Sequence, residues 1–254
     1  MHLTYLDGNS WLIELDGQRV LLDPWLVGDV IFGKADWLFR LYRDRPLPIP
    51  DSIDLILLSQ GLEDHAHPDT LHILDKSIPV VASPNGAKVA NTFGFAQVTA
   101  LAHGESYVLS DRITIKAVPG SPLGPLLTEN GYLITSQQGI RLYYEPHGNH
   151  APLLQQEAPV DVAITPIVNL ELPLVGPIIK GQATALQLAT WLQPRYMLAT
   201  AAGGDVHLEG VLSKVLKTTG TVAEFQALLT EHSLSTQVID PKPGERLLLE
   251  GMAV

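Results

Sequence analysis

The chain has 254 residues, of which 46% are hydrophobic and 17% charged, and its formal net charge is −11. This composition predicts a folded globule with a sizeable core and little disorder. The acidic balance argues against nucleic acid or an anionic membrane surface as a partner, because the 16 basic residues are scattered. The sequence contains no cysteine, so it has no disulfide framework, and any metal must be held by nitrogen and oxygen atoms.

No apolar run reaches the roughly 18 to 20 residues that a membrane-spanning helix needs. The opening residues, MHLTYLDGNSW, lack the basic start and apolar centre of a secretory signal. We therefore expect a cytoplasmic protein without a transmembrane segment.

The first 23 residues predict three short strands, LTYLD, WLIELD and RVLLD. The DGQ stretch between the second and third is typical of a hairpin turn. The following segment, about 25–50, is rich in aromatic residues and ends in three prolines. We interpret it as an insertion with a short helix near 35–43.

From residue 53 onward, strand and helix patterns alternate. We predict strands at IDLILLS, PVVAS, AQVTAL, VDVAITPIV, RYMLAT and ERLLLE, and an antiparallel pair at 105–118 and 130–144. We predict helices at PDTLHILDK, PNGAKVANTFG, TALQLATWLQ, LEGVLSKVLKTTG and TVAEFQALLTEHS. This order indicates an α/β fold in which two halves pack as a sandwich, with the helices outside.

The stretch LLSQGLEDHAHPDTL, residues 57–71, carries Asp64, His65 and His67 just after an apolar strand. Ligands in α/β folds bind at the carboxyl ends of strands. Carboxylate and imidazole groups are ligands that Zn, Fe and Mn accept. The alternative is that Asp64 or Asp69 caps the next helix and that both histidines lie on the surface.

Two further strand ends carry similar side chains. LYYEPHGNH ends in Glu145, His147 and His150, and its proline stops the strand because it cannot donate a hydrogen bond. YMLATAAGGDVH adds Asp205 and His207. The alternatives are a turn with a chance histidine in the first case and, in the second, an N-cap role for Asp205.

These stretches resemble the metallo-β-lactamase-fold superfamily, most closely its branch of stand-alone, lactonase-like metal-dependent hydrolases. LTYLDGNSWLIELDGQRVLLDPWL is similar to the opening of that branch. IDLILLSQGLEDHAHPDTL is similar to its Ser-His-x-His-x-Asp-His metal loop, which cyanobacterial and chloroplast relatives also alter. ITIKAVPGSPLGP resembles the strand that ends in Pro-x-x-His, and ENGYLITSQQGIRLYYEPHG resembles the paired strands that end in Gly-Asp.

The resemblance runs nearly end to end and implies one domain over 1–254. The implied architecture is a four-layer αββα sandwich of two mixed β-sheets with helices outside. It also implies two metal sites, and this chain departs from both. The three histidines of the first site are replaced by Gln60, Leu62 and Pro122, so we expect that site to be absent. In the second site Asp64 and His65 match the motif, His147 stands at the bridging Asp position, and the late histidine falls near Ala201.

We therefore predict a reduced, mononuclear site in which Asp64, His65 and His147 hold one divalent metal ion. Zn²⁺ is favoured, with Fe or Mn as alternatives. Catalytic roles fall to Asp64 and to Glu145 or Asp205, as general base or as an orienting group. The resemblance implies that the substrate is a small ester, lactone or phosphodiester.

The alternative function is a non-catalytic protein, a pseudoenzyme that holds no metal. Its aromatic insertion would then bind a ligand or a partner, or form a homodimer contact. The insertion could also cover a pocket that LELPLVGPIIKG, residues 170–181, would help to wall. Ordinary core packing is the remaining explanation for these apolar residues.

Overall fold

The computed structural model describes residues 1–124, 126–173, 176–201 and 204–249. Its strands, in chain order, are β1 (His2–Tyr5), β2 (Trp11–Leu15), β3 (Gln18–Leu22), β4 (Val30–Ile31), β5 (Arg40–Tyr42), β6 (Leu55–Leu58), β7 (Val80–Ala82), β8 (Val98–Ala100), β9 (Ser106–Leu109), β10 (Ile113–Pro122), β11 (Thr128–Ser136), β12 (Arg141–Tyr144), β13 (Val162–Thr165), β14 (Asn169–Leu172), β15 (Gly176–Ile179), β16 (Tyr196–Ala199), β17 (His207–Glu209), β18 (Lys217–Thr219), β19 (Gln237–Ile239) and β20 (Arg246–Leu248).

The α-helices in the described ranges are α1 (Pro68–Ile73), α2 (Pro84–Thr92), α3 (Gln182–Leu192) and α4 (Val222–Glu231). Short 3-10 helices cover Phe32–Lys34, Pro152–Glu157 and Leu212–Lys214. None of the helices in this part of the chain is long and apolar enough to pass through a membrane.

Two seven-stranded mixed sheets form the centre of the fold. The first has the order β20–β1–β2–β3–β6–β7–β8, and the second has the order β19–β16–β13–β12–β11–β10–β9. The largest apolar cluster lies between them and includes Trp11 and Leu57 of the first sheet and Tyr132 and Ile164 of the second. Helices α1 and α2 cover the outer face of the first sheet, and α3 and α4 cover that of the second. This arrangement confirms the predicted αββα sandwich.

Strand β6 shows why the central strands are continuous apolar runs. Leu55 and Leu57 point into the core between the sheets, whereas Ile56 and Leu58 pack under α1 and α2. Successive side chains of a strand alternate between the two faces, and here both faces are buried. The loop that follows β6 therefore begins at a firmly packed sheet end.

The predicted first hairpin is confirmed. Leu15 pairs with Gln18, so Asp16 and Gly17 form a two-residue turn. Their φ angles are 48° and 73°. Positive φ at both positions is the type I′ geometry, which suits Asp-Gly because glycine has no Cβ to clash.

Two predicted helices are wrong, at 35–43 and at LEGVLSKVLKTTG. The first region contains β5, and the second contains β17, a 3-10 turn and β18. These strands build two three-stranded sheets, β17–β5–β4 and β15–β14–β18. Leu208 pairs with Leu41, and Thr218 pairs with Leu170, so cross-strand contacts between distant segments override the local helical spacing.

Candidate metal centre

Asp64, His65 and His147 come together at the open edge of the sandwich. The loop after β6 supplies Asp64 and His65, and the loop after β12 supplies His147. One ligand atom from each of the three side chains lies within 4.8 Å of the others. The ring centroids of His65 and His147 are 5.2 Å apart. The structure thus brings together the three side chains that the sequence predicted as metal ligands.

His65 is fully buried and held through both ring nitrogens. Its Nδ1 donates to Asp23 Oδ2 at 2.8 Å, and its Nε2 lies 3.2 Å from Asp64 Oδ2. Asp23 Oδ1 accepts from the Ser59 backbone N–H at 2.7 Å, and Asp23 Oδ2 accepts from the Tyr144 hydroxyl at 2.7 Å. Burial opposes protonation, but Asp64 and Asp23 outweigh it and raise the pKa of His65 well above its usual range.

His147 is held by a second buried carboxylate. Its Nδ1 lies 2.9 Å from both oxygens of Glu129, at the start of β11. Glu129 also accepts from Gln60 Nε2 at 3.0 Å and from the Ser121 backbone N–H at 3.1 Å. Burial opposes ionisation of Glu129, but pairing with His147 holds the pKa of that carboxyl below its usual range. With Nδ1 engaged, Nε2 is the nitrogen that His147 can offer to a metal.

Two buried side-chain oxygen atoms beside His65 accept no hydrogen bond from the described residues. Within the described part of the chain, Asp64 Oδ1 and Asn9 Oδ1 are buried without a hydrogen bond. Asn9 Nδ2 lies 3.4 Å from His65 Nε2, so both oxygens belong to the same group of side chains. A buried acceptor without a partner costs about 1–3 kcal/mol. Two imidazoles, one carboxylate and unsatisfied oxygens fit a divalent cation.

Glu145 lies beside Glu129 and is engaged on both oxygens. It accepts from the Ser121 hydroxyl at 3.0 Å, from the Asn149 N–H at 3.0 Å, and from the Gly148 N–H. Burial and the neighbouring Glu129 raise the pKa of Glu145 well above its usual range. Glu129, Glu145 and His147 also bring ligand atoms within 4.8 Å of one another.

Asp205 lies on the solvent side of the site. Its side chain is exposed, and its backbone N–H donates to Asp7 Oδ2 at 3.2 Å. The helix that Asp205 was predicted to cap does not exist, because the chain continues into β17. The structure therefore does not bring Asp205 into the groups of ligand atoms found among the described residues.

The three positions at which the family resemblance places the histidines of a first site carry other side chains. Gln60 is buried and hydrogen-bonded to Glu129, whereas Leu62 is 42% exposed and lines a cavity beside the centre. Pro122 ends β10, opposite Thr128. Sequence reasoning missed Glu129 and assigned no role to Asp23. The signal for Glu129 was an acidic residue at the head of the apolar strand TENGYLITS.

The three other histidines of the candidate stretches, His67, His150 and His207, belong to neither group of ligand atoms. His67 is buried and caps α1, because its ring accepts a hydrogen bond from the Thr70 N–H. The alternatives that placed His67 on the surface and gave the cap to an aspartate are therefore wrong. His150 lies 3.2 Å from the Tyr143 hydroxyl, and burial lowers the pKa of His150 to about 3. His207 is exposed on β17.

A cavity of about 390 Å³ opens beside Asp64 and His147. Both small sheets and the aromatic insertion line it. The lining residues are Gly8, Asn9, Trp25, Phe32, Phe39, Leu41, Leu62, Asp64, His147, Leu170, Ile178, Ile179, Ala201, Gly204, Val206, Leu208 and Thr218. The cavity is large enough for a small organic molecule.

Solved structures with the same fold cover nearly the whole chain. Igni18, a metallo hydrolase from Ignicoccus hospitalis, has a TM-score of 0.71 at 17% identity over 99% of each chain. An isothiocyanate hydrolase from Delia radicum gut bacteria has a TM-score of 0.70 at 18% identity over 98% of this chain and 99% of the other. CmlA, a diiron β-hydroxylase from Streptomyces venezuelae, has a TM-score of 0.69 at 15% identity over 98% of this chain and 54% of the other.

A search of curated protein sequences finds no match to the chain. The family model described as "Beta-lactamase superfamily domain" matches residues 2–201, which is most of the chain. The protein therefore belongs to the beta-lactamase superfamily and has the metallo-β-lactamase fold.

Proposed function

We propose that this protein is a metal-dependent hydrolase with a mononuclear site held by Asp64, His65 and His147. The observation that carries the proposal is the pairing of each imidazole Nδ1 with a buried carboxylate, Asp23 for His65 and Glu129 for His147. Metal-binding histidines are commonly oriented in this way, with the other ring nitrogen directed to the ion. Two nitrogens and one carboxylate leave room for water and favour Zn²⁺, with Fe or Mn as alternatives.

A bound divalent ion would supply a Lewis acid that polarises the scissile carbonyl and promotes ionisation of water. The chain's own residues orient the reactants and accept the proton. Asp64 is suited to both roles, because Oδ2 lies 3.2 Å from His65 Nε2 and would hold the metal, whereas the buried Oδ1 has no partner among the described residues and is left to accept the proton. We assign this role to Asp64 rather than to Glu145, whose oxygens accept three hydrogen bonds, or to the exposed Asp205.

The reaction that we propose is hydrolysis of a small ester or lactone, with a phosphodiester as the remaining alternative. The cavity beside Asp64 and His147 supports a small-molecule substrate, since pockets of a few hundred cubic ångströms hold such molecules. If the centre held no metal, the same cavity would instead support the second candidate function, a ligand-binding protein without catalysis.

The test is elemental analysis of protein purified without a polyhistidine tag. We expect about one equivalent of Zn, Fe or Mn, as a single site with three protein ligands would hold. His147→Ala should lose the metal, because it removes one ligand of three. His72→Ala is the matched control, since His72 is exposed on α1 and belongs to neither group of ligand atoms.

Activity provides the second measurement. His65→Ala and His147→Ala should abolish hydrolysis in an ester and lactone panel, whereas His72→Ala should retain it. A wild-type protein that stays free of metal after soaking in each of the three ions would contradict the proposal. Hydrolysis that persisted in both alanine variants would contradict the residue assignment.

A further inference from the structure

The cavity beside the metal centre is walled mainly by apolar side chains from segments outside the two large sheets. Leu41 and Leu208 come from one small sheet, and Leu170 and Ile178 come from the other. Phe32 and Phe39 of the aromatic insertion stack with their ring centroids 5.9 Å apart. Substrate methylene or aryl groups would bind favourably against such a wall, because their burial removes apolar surface from water.

The described lining of this cavity contains no lysine or arginine. Asp64 is its only acidic residue, and His147 is its only imidazole. A substrate group that carried negative charge into the apolar part would therefore lose hydration without gaining a cation. A bound metal ion could neutralise a negative charge of the substrate only next to Asp64, His65 and His147.

The arginines near the cavity are committed to other partners. Arg43 donates to the Trp25 backbone oxygen at 2.6 Å, lies 3.7 Å from the Trp25 ring centroid, and has its Nε 3.5 Å from Asp7 Oδ2. Arg40 forms ion pairs with Asp29 at 2.7 Å and with Glu209 at 2.9 Å. Arg40 is therefore neutralised by two carboxylates, whereas Arg43 lies over the Trp25 ring and beside Asp7, although its Nε has no hydrogen-bond partner among the described residues.

We infer that the substrate is an uncharged carboxylic ester or lactone whose apolar acyl or aryl body fills this cavity. The inference rests on the hydrolase function proposed above and selects one class within it. A cavity of about 390 Å³ holds on the order of ten non-hydrogen atoms, at roughly 30 Å³ for each water-sized group. Substrates that carry a charge in the acyl or aryl body, such as a distal carboxylate, are disfavoured.

The reaction balances without a further co-reactant. The oxygen of water bonds to the acyl carbon, and the acyl C–O bond breaks. Asp64 accepts the proton of the attacking water and returns it to the departing alkoxide. The products are a carboxylic acid, which ionises at neutral pH, and an alcohol.

The first experiment compares kcat/KM for esters of equal size. The metal-loaded protein is tested with p-nitrophenyl octanoate and p-nitrophenyl hydrogen adipate. We expect the octanoate to exceed the adipate at least about tenfold, because the distal carboxylate of the adipate would be buried in the apolar part of the cavity without a compensating charge. An adipate that reacted as well as the octanoate would overturn the inference while leaving the hydrolase function intact.

A pair of leucine variants tests the cavity wall. Leu208 lines the cavity and Leu153 does not, yet both are 41% exposed, so neither is part of the closed core. Leu208→Lys should lower kcat/KM for the octanoate about tenfold and raise it for the adipate, since the new ammonium pairs with the distal carboxylate. Leu153→Lys should leave both values unchanged. If Leu208→Lys left the ratio unaltered, the cavity would not be the substrate site.

Binding provides a readout that does not depend on turnover. Octanamide and adipamate displace the neutral fluorescent probe N-phenyl-1-naphthylamine from the wild-type protein and from both leucine variants. Octanamide should bind at least about tenfold more tightly than adipamate, and Leu208→Lys should reverse the order. If this held while no ester was hydrolysed, the hydrolase function would be wrong and the cavity preference correct. Equal binding of the two amides would refute the cavity preference itself.

Discussion

His65 and His147 approach the same centre from different sheets, and each rests on a buried carboxylate, yet their surroundings differ. His65 is fully buried and uses both ring nitrogens, whereas the His147 side chain is 17% exposed and lines the cavity. Asp23 also accepts from Ser59 beside β6 and from Tyr144 on β12, so it joins the two large sheets. Glu129 instead shares its surroundings with a second acid, Glu145.

The two sides of the centre therefore have different roles. Asp23 and His65 form a supporting half that stabilises the fold, and Glu129 and His147 form the half that faces the cavity. The Asp23 side combines several donors on one carboxylate, which holds His65 in a single position and ties the site to the fold. The Glu129 side fixes the orientation of His147 but leaves that ring in contact with the cavity. Substitution of Asp23 should therefore reduce the stability of the fold, and substitution of Glu129 should mainly reduce metal affinity.

The largest effect is expected for Asp23→Ala. The change leaves the Ser59 N–H, the Tyr144 hydroxyl and the His65 imidazole without their shared acceptor. We expect the free energy of unfolding to fall by about 3–5 kcal/mol, as when one partner of a buried charged pair is removed. Guanidinium unfolding of metal-free protein measures this loss.

Two further variants separate the causes of that loss. Asp23 has a φ of 42°, which asparagine tolerates better than alanine, so Asp23→Asn isolates the loss of charge from backbone strain. Asp51→Ala is the exposed control and should change the free energy of unfolding by less than about 0.5 kcal/mol. If Asp23→Ala lowered the free energy of unfolding by less than about 1 kcal/mol, Asp23 would not have the stabilising role assigned to it.

Glu129→Gln should mainly lower the affinity of the site for the metal. The amide keeps the size of the side chain but lacks the charge that holds the His147 ring, so we expect metal affinity to fall about 10- to 100-fold. A titration against a competing chelator measures the change. Glu231→Gln, at the exposed end of α4, should leave affinity unaltered. Unchanged affinity in Glu129→Gln would mean that Glu129 does not orient His147.

Tyr144→Phe tests the link between the two halves, because Tyr144 lies on the second sheet and donates to Asp23 at 2.7 Å. Loss of this hydroxyl should lower the free energy of unfolding by about 1.5 kcal/mol, the typical value for a hydrogen bond to a charged group. Chemical unfolding measures it, with Tyr107→Phe on β9 as control. An effect as large as that of Asp23→Ala would show that the hydroxyl, not the carboxylate, is the main support.

The smallest effect is expected at Glu157, a carboxylate outside the centre. Its hydrogen bond with Lys116 at 2.7 Å, together with Arg141, lowers the pKa of Glu157. Because the folded pKa is depressed, the stabilisation is complete above the unfolded value and is lost as pH falls through the folded value. Glu157→Gln should therefore cost roughly 0.5–1 kcal/mol at pH 7 and almost nothing at pH 2.5. Urea midpoints at the two pH values test this, and an equal cost at both would contradict it.

Much of the sandwich could be predicted because its central strands and helices carry local signals. The apolar run of β6, the Asp-Gly turn after β2 and the amphipathic spacing of α4 each depend on neighbouring residues alone. The strands β5, β17 and β18 could not be predicted, since each is three residues long and pairs with a segment distant in sequence. Their local spacing favoured helices instead.

The candidate centre shows the same division. Asp64 and His65 follow a recognisable loop pattern, and His147 follows a strand that ends in proline. Glu129 has only the weak signal of an acidic residue at the head of an apolar strand, and Asp23 has none, because folding alone brings both carboxylates to the imidazoles. Likewise, the capping role of His67 depends on the turn that begins α1 and on the nearby Asp29 backbone oxygen, 3.1 Å from its Nε2.

One short stretch of chain, residues 207–219, completes both small sheets, since β17 pairs with β5 and β18 pairs with β14. It contributes to the cavity but none of the proposed metal ligands. Substitutions there can reshape what the cavity accepts while leaving the proposed metal ligands in place. Duplicated copies of the gene could therefore diverge in substrate through this stretch alone, and directed evolution of a new specificity should begin with a library confined to it.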